Sequence, residues 1–289
     1  SFSNVVSFGI TVESVEDPTD FTVTAANPSS LDFDGIDDYL TSDAPLLNNL
    51  SQFTVSFWVK PDDNAKFNTD PTQYSSRQSL VGQNDAFEIS LGGNDIGFYN
   101  RGGGPTIYMD ANLVADEWTH ITITGDVTAT TDTIRVIKNG DVANAVTRDL
   151  TIGASDFGDS TYDFTIGGYV LDASLAKMYP LDGELDEVSV WSTVLSDEVI
   201  STISDTKFNG SETGLIGYWS FDEANGTVAS NLKTGAPASS DLDFGTGAVP
   251  TWAVSDLDVV TTFTVGQDTT ILASPGISVD DVDSDISTI

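Results

Sequence analysis

Along most of this chain, apolar residues return at every second position, which is the period of a strand with one covered face. The clearest case is Phe53–Lys60, where Phe53, Val55, Phe57 and Val59 fall on one side and Thr54, Ser56 and Trp58 on the other. Shorter runs of the same kind recur between turn residues: Ser79–Val81, Ala86–Leu91, Asp95–Tyr99, Thr106–Met109, Trp118–Thr124, Thr133–Lys138, Tyr162–Ile166 and Gly214–Phe221. Asn139-Gly140 is a hairpin turn, with Asp141–Val146 expected as the returning strand. A single stretch reads as helix, Ser196–Ile203, with Ser196 as N-cap and Asp197 and Glu198 in the first turn. A long polar loop is expected from Asp62 to Gln78. Many short strands with almost no helix predict an all-β fold, a two-sheet antiparallel jelly-roll sandwich with one short helix.

Two strand-like stretches carry acid among their apolar residues: Leu31–Leu40, with a tight Asp34-Gly35 turn, and Gly183–Trp191. They are expected to meet in space and to share a metal. The charge balance supports that expectation: 10 Lys+Arg stand against 45 Asp+Glu, a net of -35, and 36 of the acids are Asp against 9 Glu. Asp suits turns and oxygen-donor loops, where Glu would suit solvated helices. Calcium takes six to eight oxygens, so Asp34, Asp37 and Asp38 around the backbone of Gly35, with Asp186 from the second stretch, form the first candidate site. Asp280, Asp281, Asp283 and Asp285 form a second, toward a neighbouring module. The bland alternative is that these are turn residues bonding local amides and a solvated acidic linker.

So acidic a surface repels phosphate backbones and anionic membranes, and no apolar run approaches the roughly 18 residues of a membrane span, so neither nucleic acid nor membrane insertion is expected. Without cysteine there are no disulfides or thiolate sites, and bound calcium is the staple that remains for an extracellular, monomeric protein. The ends differ from the middle. Residues 1–26 read as the end of a preceding β repeat or split module and 257–289 as the start of a following one, possible partners for each other, around a central domain at 27–256. The chain is therefore expected to be a piece of something longer.

In the central region six segments occur in family order: Leu31–Tyr39, Phe53–Lys60, Glu117–Ile121, Ile134–Gly140, Leu181–Val188 and Thr213–Glu223. Together they resemble the laminin G-like branch of the concanavalin A-like lectin superfamily. The flanks, Gly276–Asp285 above all, resemble cadherin-like repeats of large bacterial RTX-type adhesins. The resemblance implies a jelly roll, often a structural calcium near the Phe33-Asp34-Gly35 loop, and carbohydrate binding or adhesion. A sugar platform needs aromatics with planar polar groups near a rim. Tyr99, Asn100, Arg101 and Tyr108 flank the glycine run 102–104, and Tyr74 and Arg77 lie in the long loop.

Glucanases share the superfamily and need a pair of carboxylates about 5–5.5 Å apart for retaining chemistry. Here Glu184-Leu185-Asp186 begins their acidic strand motif, but the third place falls on Val188 or Ser189, and Glu187 faces the other way on a regular strand. No enzyme is expected. His120, the single histidine, is expected to be buried and structural, and Trp58, Trp118, Trp191 and Trp219 to pack in the core. The reading is a calcium-dependent carbohydrate-binding adhesion module. The alternatives are a calcium-stiffened spacer, a protein- or peptide-binding module and, least of all, a glycoside hydrolase.

Overall fold

A computed structural model of the chain describes residues 29–64, 66–67, 70, 76–100, 106–152, 154–170, 177–245 and 249–255. Residues 29–253 form one unit. The expected flanking repeats and the run Asp280–Asp285 lie outside the described residues, as do Tyr74 and Arg101.

In chain order the strands are β1 (Ser29–Asp34), β2 (Leu40–Thr41), β3 (Gln52–Pro61), β4 (Arg77–Gln83), β5 (Phe87–Gly92) and β6 (Asp95–Asn100). Then come β7 (Ile107–Met109), β8 (Thr119–Asp126), β9 (Thr133–Lys138), β10 (Val146–Asp149), β11 (Phe164–Ile166), β12 (Tyr169–Val170) and β13 (Lys177–Met178). The series ends with β14 (Asp182–Trp191), helix α1 (Asp197–Ile200), β15 (Leu215–Trp219), β16 (Val228–Ala229), β17 (Leu242–Phe244) and β18 (Thr251–Val254). One sheet runs β10-β9-β8-β3-β14-β1-β18, with β15 also beside β14, and the other runs β16-β17-β2-β11-β4-β5-β6-β7. Apart from a small β12–β13 ribbon, the fold is the expected antiparallel jelly-roll sandwich.

The period-2 pattern fills the space between the sheets. Phe53, Val55, Phe57 and Val59 are fully buried, and the Phe53 ring stacks on Phe87 of the opposite sheet at 4.2 Å, with Phe157 edge-on at 4.8 Å. Each such side chain withdrawn from water contributes about 1.5–3 kcal/mol. Gly125, opposite Phe53 in β8, has no room for a side chain because that ring occupies the place of its Cβ.

β14 is the hub. Along one edge it pairs with β3; along the other its first half pairs with β1 and its second half with β15. The two acidic stretches therefore do meet, as adjacent strands. Where the partner changes, Glu187 adopts φ 52° and the register against β3 slips between Asp186 and Ser189. That is a β-bulge, which re-aims the side chain at its apex.

Some local expectations shift. The strand after Asn139-Gly140 begins at Val146, because Asp141 caps a 3-10 turn over Val142–Asn144 by accepting from the Asn144 N–H. The helix is one turn, capped by Ser196 as expected, and a 3-10 turn at Ile203–Asp205 follows it. Trp219 lies in the main core, stacked on Phe164 at 5.2 Å. Trp191 packs instead with Leu215, Tyr218 and Phe208 in a separate cluster. Trp118 is only half-buried and lies under the ammonium of Lys60.

Candidate functional site

At the end of β1 the chain turns through Asp34-Gly35-Ile36-Asp37-Asp38. The Asp34 carboxylate accepts from the Ile36 N–H at 2.8 Å, and Asp38 Oδ2 accepts from the Asp34 N–H at 2.9 Å. These short-range bonds wind the loop on itself, and Gly35, at φ 72°, makes the turn. A side chain there would strike Asp182, whose Cβ and Cγ lie 2.8 Å from where a Cβ would stand. As a result, carboxylate oxygens of Asp34, Asp37 and Asp38 lie within 4.8 Å of one another. Asp38 is 3% exposed, and its Oδ1 has no hydrogen-bond partner. Burial, with Asp34 and Asp37 close by, pushes the Asp38 carboxyl above the usual carboxylate range.

A buried carboxylate oxygen without a donor is costly. A hard cation would satisfy it, and clustered Asp oxygens with nearby carbonyls and water are the donor set calcium takes. The residues fit. Bound there, calcium would supply the positive charge that lets these carboxylates stay ionised side by side.

Asp186 does not join this loop. The β1–β14 register sets Asp34 opposite Asp182, whereas Asp186 lies four residues further on, beside Trp58 of β3, and accepts from the Glu187 N–H at 2.8 Å. The carbonyl of Gly35 is engaged as well: the half-buried ammonium of Lys66 donates to it at 3.0 Å and to the Pro180 carbonyl at 3.2 Å. Around this rim more acids gather. Asp32, Asp62 and Asp182 are all pushed upward, first by burial and then by neighbouring acids: Glu184 and Asp182 act on Asp32, Asp182 and Asp32 on Asp62, and Asp34 on Asp182, where Lys66 partly offsets the shift. Glu184 takes Lys60 at 3.1 Å and the Ser30 hydroxyl at 2.5 Å.

Glu187 corrects an expectation. The bulge turns its carboxyl toward Lys207, at 3.2 Å, and toward the Tyr218 hydroxyl. Burial raises it to about 7, with Lys207 pulling the other way. It ties β14 to Lys207, in the loop after α1, and to Tyr218 of β15.

His120 is fully buried as expected. Its Nε2 shares a hydrogen with the Ser56 hydroxyl at 2.8 Å, and burial holds the ring neutral down to about 3.

The ligand candidates divide by strand parity. Arg77 of β4 and Tyr99 of β6 lie on the outer face of the second sheet, and Tyr108 of β7 pairs with Gly97 on the same face. Arg77 is 8% exposed and its guanidinium meets Glu88 of β5 at 2.5 Å. It lies 4.9 Å from the ring centre of Tyr179 and 5.7 Å from that of Tyr99. The floor is Gly97, where a Cβ would press on the Ser90 hydroxyl and the Tyr108 ring, both at 2.9 Å. Two buried polar atoms here, Arg77 Nε and Ser90 Oγ, have no partner. Asn100 points the other way, because it follows Tyr99 in an alternating strand. It donates to the Ala86 and Phe157 carbonyls and lines a separate cavity of about 270 Å³ with Asp85, Asp156 and Asp159.

Lys66, Glu88, Tyr179 and Asp182 are the residues that sequence reasoning missed. Asp182 shares strand parity with Glu184 and Asp186, so only the register selects it. Tyr179, at φ 58° in a loop, carries no sequence signal.

A family model described as the concanavalin A-like lectin/glucanases superfamily, Laminin_G_3, matches residues 34–201, more than half of the chain. This chain belongs to that family. Within the superfamily it is similar to a Bacteroides ovatus protein described as a candidate carbohydrate binding protein, at 18% identity and a TM-score of 0.54, covering 79% of this chain and 60% of that one. It is also similar to the heptameric SAP-like pentraxin of Limulus polyphemus, at 12% identity and a TM-score of 0.52, covering 81% and 99%. The chain thus spans less than two thirds of the Bacteroides ovatus protein. No curated protein matches it. Among the described residues no helix is long and apolar enough to cross a membrane, which says nothing of β-barrels.

Proposed function

We propose that this member of the laminin G-like family is a calcium-dependent carbohydrate-binding module of a large secreted or cell-surface adhesin, and not an enzyme. The observation that carries the binding role is Arg77. It is a nine-tenths buried arginine with a free Nε, set against the faces of Tyr179 and Tyr99 beside Tyr108. Aromatic faces take the C–H side of a sugar ring, and planar polar groups take its hydroxyls. The Bacteroides ovatus protein of similar fold is itself described in terms of carbohydrate binding.

Calcium would be held by Asp34, Asp37 and Asp38, where the unpartnered Asp38 oxygen supports it. One short segment links this loop to the arginine face. The Leu181 carbonyl accepts from the Gly35 N–H at 2.7 Å, and the Tyr179 carbonyl accepts from the Ser79 N–H at 2.7 Å. The Asp182 N–H donates to Gln78, next to Arg77, at 2.9 Å. Fixing the loop therefore fixes Tyr179 over Arg77, and sugar binding becomes sensitive to calcium without a sugar–calcium contact.

The adhesin setting rests on the net charge of -35, the absence of cysteine and the flanking resemblance. In that setting the partners are cell-surface glycans and neighbouring modules of the same protein.

The 289-residue chain on a glycan array tests the reading, with native protein in millimolar calcium beside Arg77→Met. A defined set of glycans bound by the native chain and lost in the variant is expected. Equal binding by both, or none by either, contradicts it.

A further inference from the structure

We propose that the Arg77 face selects uncharged glycans and excludes sialylated or sulfated ones; this rests on the carbohydrate-binding reading and names its ligand class. An arginine at a sugar site ordinarily suggests an anionic ligand, because guanidinium matches carboxylate and sulfate as a bidentate donor. Here that charge is already spent. Arg77 meets Glu88 at 2.5 Å, and both side chains are below 10% exposed, so the pair enters the site as a neutral unit with a fixed dipole.

What remains for a ligand is hydrogen bonding and ring faces. Arg77 Nε is a donor without an acceptor, and the Ser90 hydroxyl is a donor and acceptor without either partner. Tyr99, Tyr108 and Tyr179 bring aromatic surface, with burial holding the Tyr108 phenol above its ordinary value and hence uncharged. Hydroxyl-rich neutral sugars match this set. An anionic group would have to shed its water beside Glu88, without a second cation among the described residues of the face, and would approach a chain of net charge -35.

The experiment compares matched pairs: neutral oligosaccharides and the same oligosaccharides capped with sialic acid or sulfate. Each is titrated into the 289-residue chain in calcium, at low and high salt. The neutral member should bind at least tenfold more tightly and with little salt dependence. Glu88→Gln keeps an acceptor beside Arg77 but removes the negative charge, and should narrow the gap at least fivefold by admitting the anionic member. If the native chain binds the capped glycans as well as or better than the neutral ones, the ligand-class inference is overturned and the lectin reading survives. If it binds neither, the lectin reading falls and takes the inference with it. The native comparison decides the matter even if Glu88→Gln fails to fold.

Discussion

At the β1–β14 rim Asp32, Asp34, Asp37, Asp38, Asp62 and Asp182 lie close together, the ammonium of Lys66 answers only Asp34 and Asp182 among them, and Lys60 is already paired to Glu184. On the outer face of the second sheet, among the described residues, Arg77 meets Glu88. Both regions hold charge out of water, but they leave opposite remainders. The rim has acid to spare and a buried oxygen with no donor; the face is balanced and has neutral donors and ring surfaces to spare. The proposed ligands fill those remainders: a cation at the rim, an uncharged polyol at the face. A cluster of charges therefore says little until its partners are counted, and Glu187 shows the third outcome, a carboxyl fully occupied by Lys207 and Tyr218.

The comparison breaks most severely at Arg77. Arg77→Met takes the guanidinium away from the buried Glu88 carboxylate, which costs about 3–5 kcal/mol in stability as well as sugar binding, and thermal melting beside glycan titration reads both. Asp38→Asn comes next. Calcium at about 100 times its Kd stabilises the native chain by about 2.7 kcal/mol, and the variant should lose that increment while melting normally without metal.

Acid offers a third test. Asp38 and Asp182 take protons more readily in the fold than out of it, so the metal-free chain draws stability from them as pH falls through their raised values. Calcium needs Asp38 ionised, so its stabilising increment should be full near neutrality and shrink as pH falls toward the ordinary carboxylate value, where the melting curves with and without calcium converge. An increment that stays constant down to about pH 4 would contradict the ligand assignment. Taking that difference also cancels His120 and Glu187, which titrate in both states.

Tyr179→Leu removes one ring face and should weaken glycan binding about fivefold to tenfold, roughly 1 kcal/mol, with the fold intact. The smallest effect belongs to Asp186→Asn. It should leave calcium affinity unchanged within about twofold, because Asp186 lies opposite Trp58 rather than at the loop.

The sandwich was legible because its strands are half-buried, and the alternation in Phe53–Lys60 maps directly onto a covered and an open side. The meeting of the two acidic stretches was legible too. Which acid faces the loop was not, since Asp182, Glu184 and Asp186 share one parity and only the register distinguishes them. Glu187 was misjudged for a related reason: a bulge at a change of strand partner is a property of three strands together. Arg77, Tyr99 and Tyr108 were picked as aromatic and planar polar residues in or beside loops, and the strand pairing sets them on one face, whereas Asn100, adjacent to Tyr99, faces the other way by alternation. Glu88 escaped notice because an ion pair across strands is invisible until β4 and β5 are aligned.

Metal at one rim is proposed to govern sugar binding on another face. The direct measurement is calorimetric titration of one array-selected neutral glycan into the 289-residue chain, in calcium and again in chelator, with melting recorded in both. Affinity should fall at least tenfold in chelator while the chain remains folded, and calcium should restore it. Equal affinity in chelator, with calcium demonstrably removed, would contradict the proposal.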